Sequence, residues 1–327
     1  MARTQSEPQP AVSVVLTVLN EERHLRAAVG SVIAQDYPGE VEIVLALGPS
    51  RDHSDAVAQE LAADPRVVLV ANPTGRTPNG LNLAVAASRF PVVARVDGHS
   101  VIPPDYLRNA VEVLGRTGAD NVGGLMSARG VTNIEQAIAT AMTSKLGVGN
   151  APFHVGGTEG PADSVYLGVF RRSALDRVGG YDETFTRAQD WEMNYRIRAS
   201  GGLVWFSPTL SVSYRPRHSL AALARQYFHY GRWRRQVMRA HPGSVNLRYL
   251  APPAAVLGVL AGLVLSTFLS VWALTAPAAY LLLDVVGSLV IGRGLPWRAW
   301  LALPVVIATM HMAWGTGFLS AWRRPGS

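Results

Sequence analysis

A doubly wound α/β sheet followed by two or three membrane helices is the architecture that three features of this chain predict. Short β-branched runs alternate with helical stretches from Val12 to Val96, the pattern of parallel strands joined by crossover helices. The 327-residue chain is 48% hydrophobic, more than a soluble domain of this length usually carries. That excess is concentrated: from Leu250 to Gly292 only Asp284 can carry charge, and from Ala299 to Ala321 only His311. A helix crossing a bilayer needs about 20 apolar residues, and both stretches are long enough to supply them.

The elements follow in order. Met1 to Ala11 is polar and proline-containing with no apolar leader core, so a disordered tail ahead of a cytosolic domain is expected. Val12 to Val18 reads as a strand buried on both faces. Leu19-Asn20-Glu21-Glu22 opens a helix running to about Ala34, with Leu25, Ala28, Val29, Val32 and Ile33 on one face. Strands follow at Val41–Leu47, Val67–Ala71 and Val92–Val96, and helices at Ser54–Ala63 and Leu81–Ser88. In such sheets ligands bind beyond the carboxyl ends of the strands, which here are residues 17–21, 47–52 and 97–99.

The domain boundaries expected are 12–217 for the α/β domain, 218–248 for a basic amphipathic region and 249–327 for a membrane domain. His218 to His241 carries Arg225, Arg232, Arg234, Arg235 and Arg239 among aromatic and aliphatic residues. It is either an interfacial helix beside a membrane anchor or a solvated helix packed on its own domain. The first long apolar stretch is about twice one span and is interrupted by Ser270, Thr275 and Pro277, giving a hairpin of 251–271 and 274–292. A segment at 299–321 is a third crossing or a re-entrant one. With a cytosolic N-terminal domain the hairpin returns to the cytosol at Arg293 and Arg298, as the positive-inside bias prefers. Three complete crossings, the favoured count, put Arg323 and Arg324 outside, against that bias.

Cysteine is absent, which excludes disulfides and thiolate metal sites and fits a reducing compartment. The net charge of +7 comes almost wholly from arginine, Lys145 being the only lysine. Arginine dominance follows genome composition as readily as chemistry, so charge does not argue for a nucleic-acid partner.

Asp97-Gly98-His99 follows the apolar run from Phe90 to Val96. Alternate strand residues project to one face, so an acidic oxygen and an imidazole nitrogen come together where Mn²⁺, or Mg²⁺ less well, could hold a nucleotide diphosphate. The rival reading is an Asp that caps a turn.

Several motifs in order make the chain resemble the family 2 inverting glycosyltransferases of the GT-A fold. These are Val12 to Glu21 with its Asn-Glu turn, Ser31-x-x-x-Gln35-x-Tyr37-Pro38, Asp97-Gly98-His99 in the place of the Asp-x-Asp motif, Gly179-Gly180-Tyr181-Asp182-Glu183, and Gln189-Asp190-Trp191-Glu192 with Arg196. The match covers roughly residues 12–235. Asn72-Pro-x-Gly75-Arg76-x-Pro78-x-Gly80-Leu81-Asn82, Arg95-x-Asp97-x-His99 and Gln226-Tyr-Phe-x-Tyr230-Gly231-Arg232 resemble the membrane-attached exopolysaccharide transferases within it.

The resemblance implies a Rossmann-like nucleotide-sugar-binding sheet, a nucleotide-sugar donor, a lipid-linked or polysaccharide acceptor at the cytosolic membrane face, and a divalent metal, Mn²⁺ or Mg²⁺. It assigns Asp97 and His99 to metal and diphosphate, and Asp190 to the general base that inversion requires. The rival reading of Asp190 is the N-cap of a helix over Trp191–Arg198, a role that could coexist with the first. Thr17, Leu19, Asn20 and Glu21 match the nucleoside pocket. The acid that usually contacts uracil is missing from Ala46-Leu-Gly-Pro-Ser-Arg-Asp52. Base recognition then uses Asp52, backbone groups or Arg76, or the donor is not a uridine nucleotide; Arg76 could instead pair with a surface acid.

On the acceptor side the resemblance places Asp163, which could equally be a turn-forming residue, Gln189 and Trp191, and Gln226, Arg232 and Trp233. The last three stand as Gln-x₅-Arg-Trp, longer than the Gln-x-x-Arg-Trp of processive synthases, and too few spans follow to form a pore. A transferase fold that has lost activity and acts as a scaffold is the alternative, which the missing uracil-contacting acid favours. Asp284 and His311 fall within the spans, where ionisable groups are costly.

Overall fold

The computed structural model describes residues 9–321. Most of the tail expected over Met1–Ala11 lies outside them, as do Arg323 and Arg324. The elements in chain order are β1 (Val12–Val18), α1 (Leu25–Ile33), β2 (Val41–Leu47), α2 (Ser54–Leu61), β3 (Val67–Ala71), α3 (Thr77–Ala87), β4 (Val92–Arg95), α4 (Tyr106–Thr117) and β5 (Asn121–Ala128). There follow α5 (Asn133–Met142), α6 (Lys145–Val148), α7 (Pro152–Val155), β6 (Gly160–Pro161), β7 (Tyr166–Arg171), α8 (Arg172–Val178), α9 (Gln189–Ala199) and β8 (Val204–Tyr214). The last four helices are α10 (Leu220–Ala240), α11 (Ala251–Phe268), α12 (Thr275–Ile291) and α13 (Trp297–Ser320). The described residues form two compact units: 9–126 with 156–213, and 127–155 with 214–321.

The sheet runs β3-β2-β1-β4-β7-β5-β8-β6. β1, β2, β3 and β4 are mutually parallel, as the alternating sequence predicts, whereas β7 runs antiparallel to both β4 and β5. The sheet is therefore mixed, because its second half is not built from strand–helix–strand crossovers. From β1 the chain winds outward through β2 to β3 and then returns to β4 on the other flank of β1. This reversal is a topological switch point, the place in open α/β sheets beyond whose strand ends ligands bind.

β-Branched and leucine side chains of β1 and β2 are buried on both faces. Leu16, Ile43 and Leu45 pack with Leu25 of α1 and Tyr106 and Leu107 of α4 in one core, each aliphatic side chain contributing about 1.5–3 kcal/mol on burial. One polar device is sealed inside. Ser13 donates to Glu42 at 2.6 Å, and Glu42 also accepts from the Arg89 backbone N–H at 2.6 Å and from Arg89 Nε at 2.8 Å. Burial alone would raise the Glu42 carboxyl, but these donors from Ser13 and Arg89 outweigh it and hold the pKa below its ordinary value.

The helix expected to open at Leu19 begins instead at Leu25. Asn20 has φ of 57°, a left-handed conformation that asparagine tolerates and that no right-handed helix accommodates. Residues 19–24 are thereby released as a loop over the end of β1.

In the second unit, Thr132 and Glu135 form a reciprocal capping box at the start of α5, and buried Glu135 also pairs with Arg215 at 3.1 Å. α11 and α12 form an antiparallel apolar hairpin whose outward leucines, such as Leu257, Leu260, Leu281 and Leu282, are more than half exposed. Among the described residues three helices are long and apolar enough to cross a membrane, but α13 is the most enclosed of them, with Leu303, Val306, Ile307 and Met310 fully buried. Its last turns lie against the first turn of α11. A Cβ added to Gly315 would come within 2.6 Å of the Pro252 carbonyl, and one added to Gly231 of α10 within 1.9 Å of the Trp314 carbonyl.

The buried Glu42 cluster gives a stability prediction with a definite sign. Glu42 has a depressed folded-state pKa, so its contribution is complete above the unfolded-state pKa and fades as pH falls through the lower folded value. Glu42→Gln should cost about 1–3 kcal/mol at neutral pH in chemical denaturation, and less at acid pH.

Candidate functional site

Three parallel strands deliver their ends to one edge. Val18 of β1 pairs with Leu47 of β2, and Val15 with Arg95 of β4, so the loops after all three strands emerge together. The first two loops are stitched to each other. Asn20 N–H donates to Ser50 Oγ at 3.1 Å, Glu21 N–H to Ser54 Oγ at 2.7 Å, and Arg51 N–H to Asn20 Oδ1 at 2.8 Å.

Asp52 takes part in the same stitching. It accepts from Ser54 Oγ at 2.6 Å, from Ser54 N–H at 3.0 Å and from Glu22 N–H at 3.2 Å. The Ser54 hydroxyl leads these donors in lowering the Asp52 pKa. Its carboxylate thus holds the α2 start against the β1 loop. Arg76 stands exposed at the start of α3 and makes no ion pair with an acid among the described residues. Thr17 lies in the last residues of β1, and Leu19 is 41% exposed beside Gly48 and Gly75.

β4 ends at Arg95, two residues before Asp97, so Asp97 and His99 lie on a turn closed by Ser100 N–H to the Asp97 carbonyl at 2.9 Å. The alternation of strand side chains, expected to align the two, does not apply there. A turn and a neighbouring loop orient them instead. His99 Nδ1 meets Glu21 Oε1 at 2.8 Å, which points the β1 loop and the β4 turn at each other.

Arg95 is the residue that sequence reasoning quoted but gave no role. It is 6% exposed, and an arginine inside the apolar run from Phe90 to Val96 is itself a signal, because a charge so placed is seldom buried without partners. Its Nε and Nη2 donate to Asp97 Oδ1 at 3.1 and 2.9 Å, and its Nη1 donates to Asp190 Oδ1. Burial would lower the Arg95 pKa, but Asp190 and Asp97 outweigh it and keep the guanidinium firmly charged. One planar cation therefore joins the acid after β4 to the acid at the start of α9.

Asp190 is not an N-cap. The cap residue is Ala188, at φ of 59°, and Asp190 occupies the first turn of α9 with its carboxylate turned to Arg95. The side chain keeps 44% of its exposure. The protein packed around it and the nearby Asp97 charge raise its pKa, Arg95 opposing them, and the net direction is upward. A carboxylate whose pKa is raised in this way is a candidate for proton transfer. Trp191 is buried and stacks on Tyr195 at 6.0 Å between centroids, and Gln189 is the first residue of α9.

The turn leading to α9 is held by Asn82 of α3, which donates to the Tyr181 carbonyl at 2.8 Å and accepts from Tyr181 N–H at 2.8 Å. Gly179 and Gly180, at φ of 75° and 72°, make that turn possible. Asp163 pairs with Arg198 at 3.5 Å, at the opposite end of α9 from Asp190, about 12 Å along the helix. Gln226, Arg232 and Trp233 lie on α10, in the second unit. The Gln226 amide donates to Tyr230 and Tyr214 at 2.6 and 3.2 Å and accepts from Arg217 at 3.2 Å.

The donor set suits a divalent cation of the Mn²⁺ or Mg²⁺ type. Arg95 engages Oδ1 of Asp97, so Oδ2 would be the oxygen to face a metal. A carboxylate on His99 Nδ1 is the usual arrangement behind a coordinating histidine, whose ligand atom would be Nε2. Two protein ligands leave positions for phosphate oxygens and water. Among the described residues no cluster of three or more His, Asp or Glu forms a closed cage.

Comparison with known proteins gives a consistent answer. The profile of glycosyl transferase family 2 matches residues 13–179. The succinoglycan biosynthesis protein ExoA of Rhizobium meliloti (strain 1021) is 32% identical over 316 residues, 95% of this chain and 93% of that protein. A dolichyl N-acetyl-alpha-D-glucosaminyl phosphate 3-beta-D-2,3-diacetamido-2,3-dideoxy-beta-D-glucuronosyltransferase of Methanococcus voltae is 21% identical over 317 residues, 94% of this chain and 95% of that protein. Among solved structures, the mannosyltransferase PcManGT of Pyrobaculum calidifontis, in complex with GDP-Man and Mn2+, superposes with a TM-score of 0.62 at 19% identity, covering 97% of this chain and 89% of that one. The fold is GT-A-like.

Removing the shared guanidinium tests the arrangement directly. Arg95→Ala should destabilise the fold by about 2–4 kcal/mol in denaturant titration, somewhat less than for a fully enclosed pair because Asp190 is partly solvated. Arg95→Lys, which keeps the charge and loses the fork, should fall between.

Proposed function

The chain belongs to glycosyl transferase family 2, and we propose that it is a membrane-anchored, metal-dependent, inverting enzyme that moves a sugar from a nucleotide diphosphate to a lipid-linked or polysaccharide acceptor at the cytosolic face. The observation that carries this reading is the Arg95 guanidinium, which ties Asp97, read as the diphosphate-side acid, to Asp190, read as the base. Relatives in lipid-linked and exopolysaccharide glycan synthesis support the acceptor class.

In this mechanism the acceptor hydroxyl oxygen attacks the anomeric carbon in line as the bond from that carbon to the phosphate oxygen breaks. The bonding pair leaves on the diphosphate, and the acceptor proton passes to Asp190. A divalent cation held by Asp97 and His99 would neutralise the leaving diphosphate. Arg95 keeps Asp190 aimed into the cleft and balances the charge of the two acids. Thr17, Leu19, Asn20 and Glu21 receive the nucleoside, with Arg76 as the cation nearest in sequence to that pocket's α3 wall. Asp52 acts on the nucleotide through the loop it holds. Asp163, Gln189 and Trp191, with Gln226, Arg232 and Trp233, are the acceptor-side positions.

The membrane part is proposed as two crossings, α11 and α12, with α13 returning to the side from which α11 departs. The packing of Gly315 on the first turn of α11 supports that count over three. Residues 218–248 then form a basic region at the interface and 249–327 the membrane domain.

Two experiments test these readings. Transfer assays with a panel of UDP- and GDP-sugars, alongside thermal shift with UDP or GDP, should give turnover and a stabilisation that requires Mn²⁺ or Mg²⁺ and is reversed by chelation, about 2.7 kcal/mol at a hundredfold excess over Kd. Failure of every nucleotide to bind would favour a non-catalytic scaffold. For topology, the cysteine-free chain allows clean single-cysteine labelling. Ser270→Cys should react with an impermeant maleimide from outside and Ser320→Cys, at the exposed end of α13, only from the cytosolic side. Outside labelling of Ser320→Cys would establish three crossings.

A further inference from the structure

The second unit is strongly and one-sidedly basic. Residues 127–155 and 214–321 contain twelve Arg or Lys and only two carboxylates, Glu135 and Asp284. Glu135 is buried against Arg215, and Asp284 lies inside α12 of the membrane hairpin. An anionic surface or ligand is the natural complement of such a unit.

Two of these cations converge on one aromatic ring immediately before the hairpin begins. The Arg234 and Arg248 guanidinium carbons lie 4.4 and 4.9 Å from the centroid of the Tyr249 ring. Arg248 is further fixed, donating to Asn150 Oδ1 at 2.9 Å and to the Tyr249 hydroxyl at 2.7 Å. Tyr249 itself is buried and stacks on Trp314 at 6.5 Å. The ring attracts both cations, and two guanidiniums gathered on one ring suit the doubly charged head of a diphosphate.

A second observation points to the same place. His154 Nδ1 is sealed from solvent and has no hydrogen-bond partner among the described residues. Burial, and then the neighbouring Arg248 charge, push its pKa down to about 4. It is therefore neutral at physiological pH, a donor or acceptor waiting beside a cation. A third observation concerns the tail of any ligand. Leu247 is 81% exposed and Leu250 39% exposed on either side of the arginine–tyrosine pair, and the exposed leucines of α11 continue from there. Cations with an adjoining apolar track suit a molecule that is anionic at its head and hydrocarbon behind.

We propose that Arg234, Arg248 and Tyr249, with His154 and Asn150, form a site for the diphosphate of a polyprenyl-linked molecule, its hydrocarbon lying along Leu247, Leu250 and α11. This rests on the reading of a lipid-linked acceptor and gives that acceptor's head group an anchor of its own on the second unit.

The probe is farnesyl diphosphate, titrated calorimetrically into the detergent-solubilised full-length chain in EDTA, so that a metal-dependent donor site does not contribute. Binding is read without any donor, so a chain that transfers no sugar still tests the site. Wild type should bind, Arg234→Gln and Arg248→Gln should each weaken binding about tenfold or more, and the double variant should abolish it, with melting temperatures checked on the same samples. Inorganic pyrophosphate should bind more weakly than farnesyl diphosphate, and phosphatidylglycerol vesicles should not compete. Unchanged affinity in a folded double variant would overturn the proposal. So would pyrophosphate binding as tightly as farnesyl diphosphate, or displacement by phosphatidylglycerol, which would mark a generic anion or lipid surface. If the double variant does not fold, a diazirine-bearing farnesyl diphosphate on wild type decides: labelling within 145–154 or 232–250 supports the site, and labelling confined elsewhere contradicts it.

Discussion

The Arg95 guanidinium is the constraint around which the first unit is organised. A buried cation in an apolar strand is tolerable only if its donors are filled by charge-bearing acceptors, and Asp97 and Asp190 fill them. To meet that requirement the chain must bring the turn after β4 and the start of α9, ninety-odd positions apart in sequence, to opposite edges of one planar fork. The same contact then serves chemistry. It sets within one guanidinium's reach the two acids that the proposed mechanism assigns to the diphosphate and to proton abstraction. It also keeps two carboxylates from repelling each other in a partly desolvated space.

The surrounding structure supports that fork from both sides. The β1 and β2 loops are cross-linked through Asn20, Ser50, Asp52 and Ser54, and the Glu21–His99 contact joins them to the β4 turn. On the other side Asn82 clamps the glycine turn that precedes α9. These are short polar links anchored on strands and helices whose own positions are fixed by apolar burial. Sheet packing places the loops coarsely, and the hydrogen bonds set the final orientation of the side chains.

Much of this was legible in the sequence because it is periodic. The β-branched runs of β1, β2 and β3 have the boundaries their residues imply, and the alternation of strands with helices identifies the parallel half of the sheet. What is not periodic was less visible. The helix expected from Leu19 starts at Leu25 because a single left-handed asparagine interrupts it. The spacing of Asp97 and His99 suggested two side chains on one strand face, whereas a turn and not a pleat sets their direction. The antiparallel return through β7 leaves no local signature, because its pairing partners β4 and β5 are distant in sequence. Arg95 was present as a charge in an apolar run, and its partners could be known only once α9 was placed.

The functional reading stands or falls on a division of labour between the two acids that Arg95 joins. Isothermal titration of nucleotide sugar with Mn²⁺, paired with single-turnover transfer, measures it in the Asp97→Asn and Asp190→Asn chains. Loss of metal-dependent binding in the first, and near-normal binding with transfer slowed by about a hundredfold or more in the second, is the expected result. Full transfer by the Asp190→Asn chain, or metal-dependent binding untouched by Asp97→Asn, would contradict it.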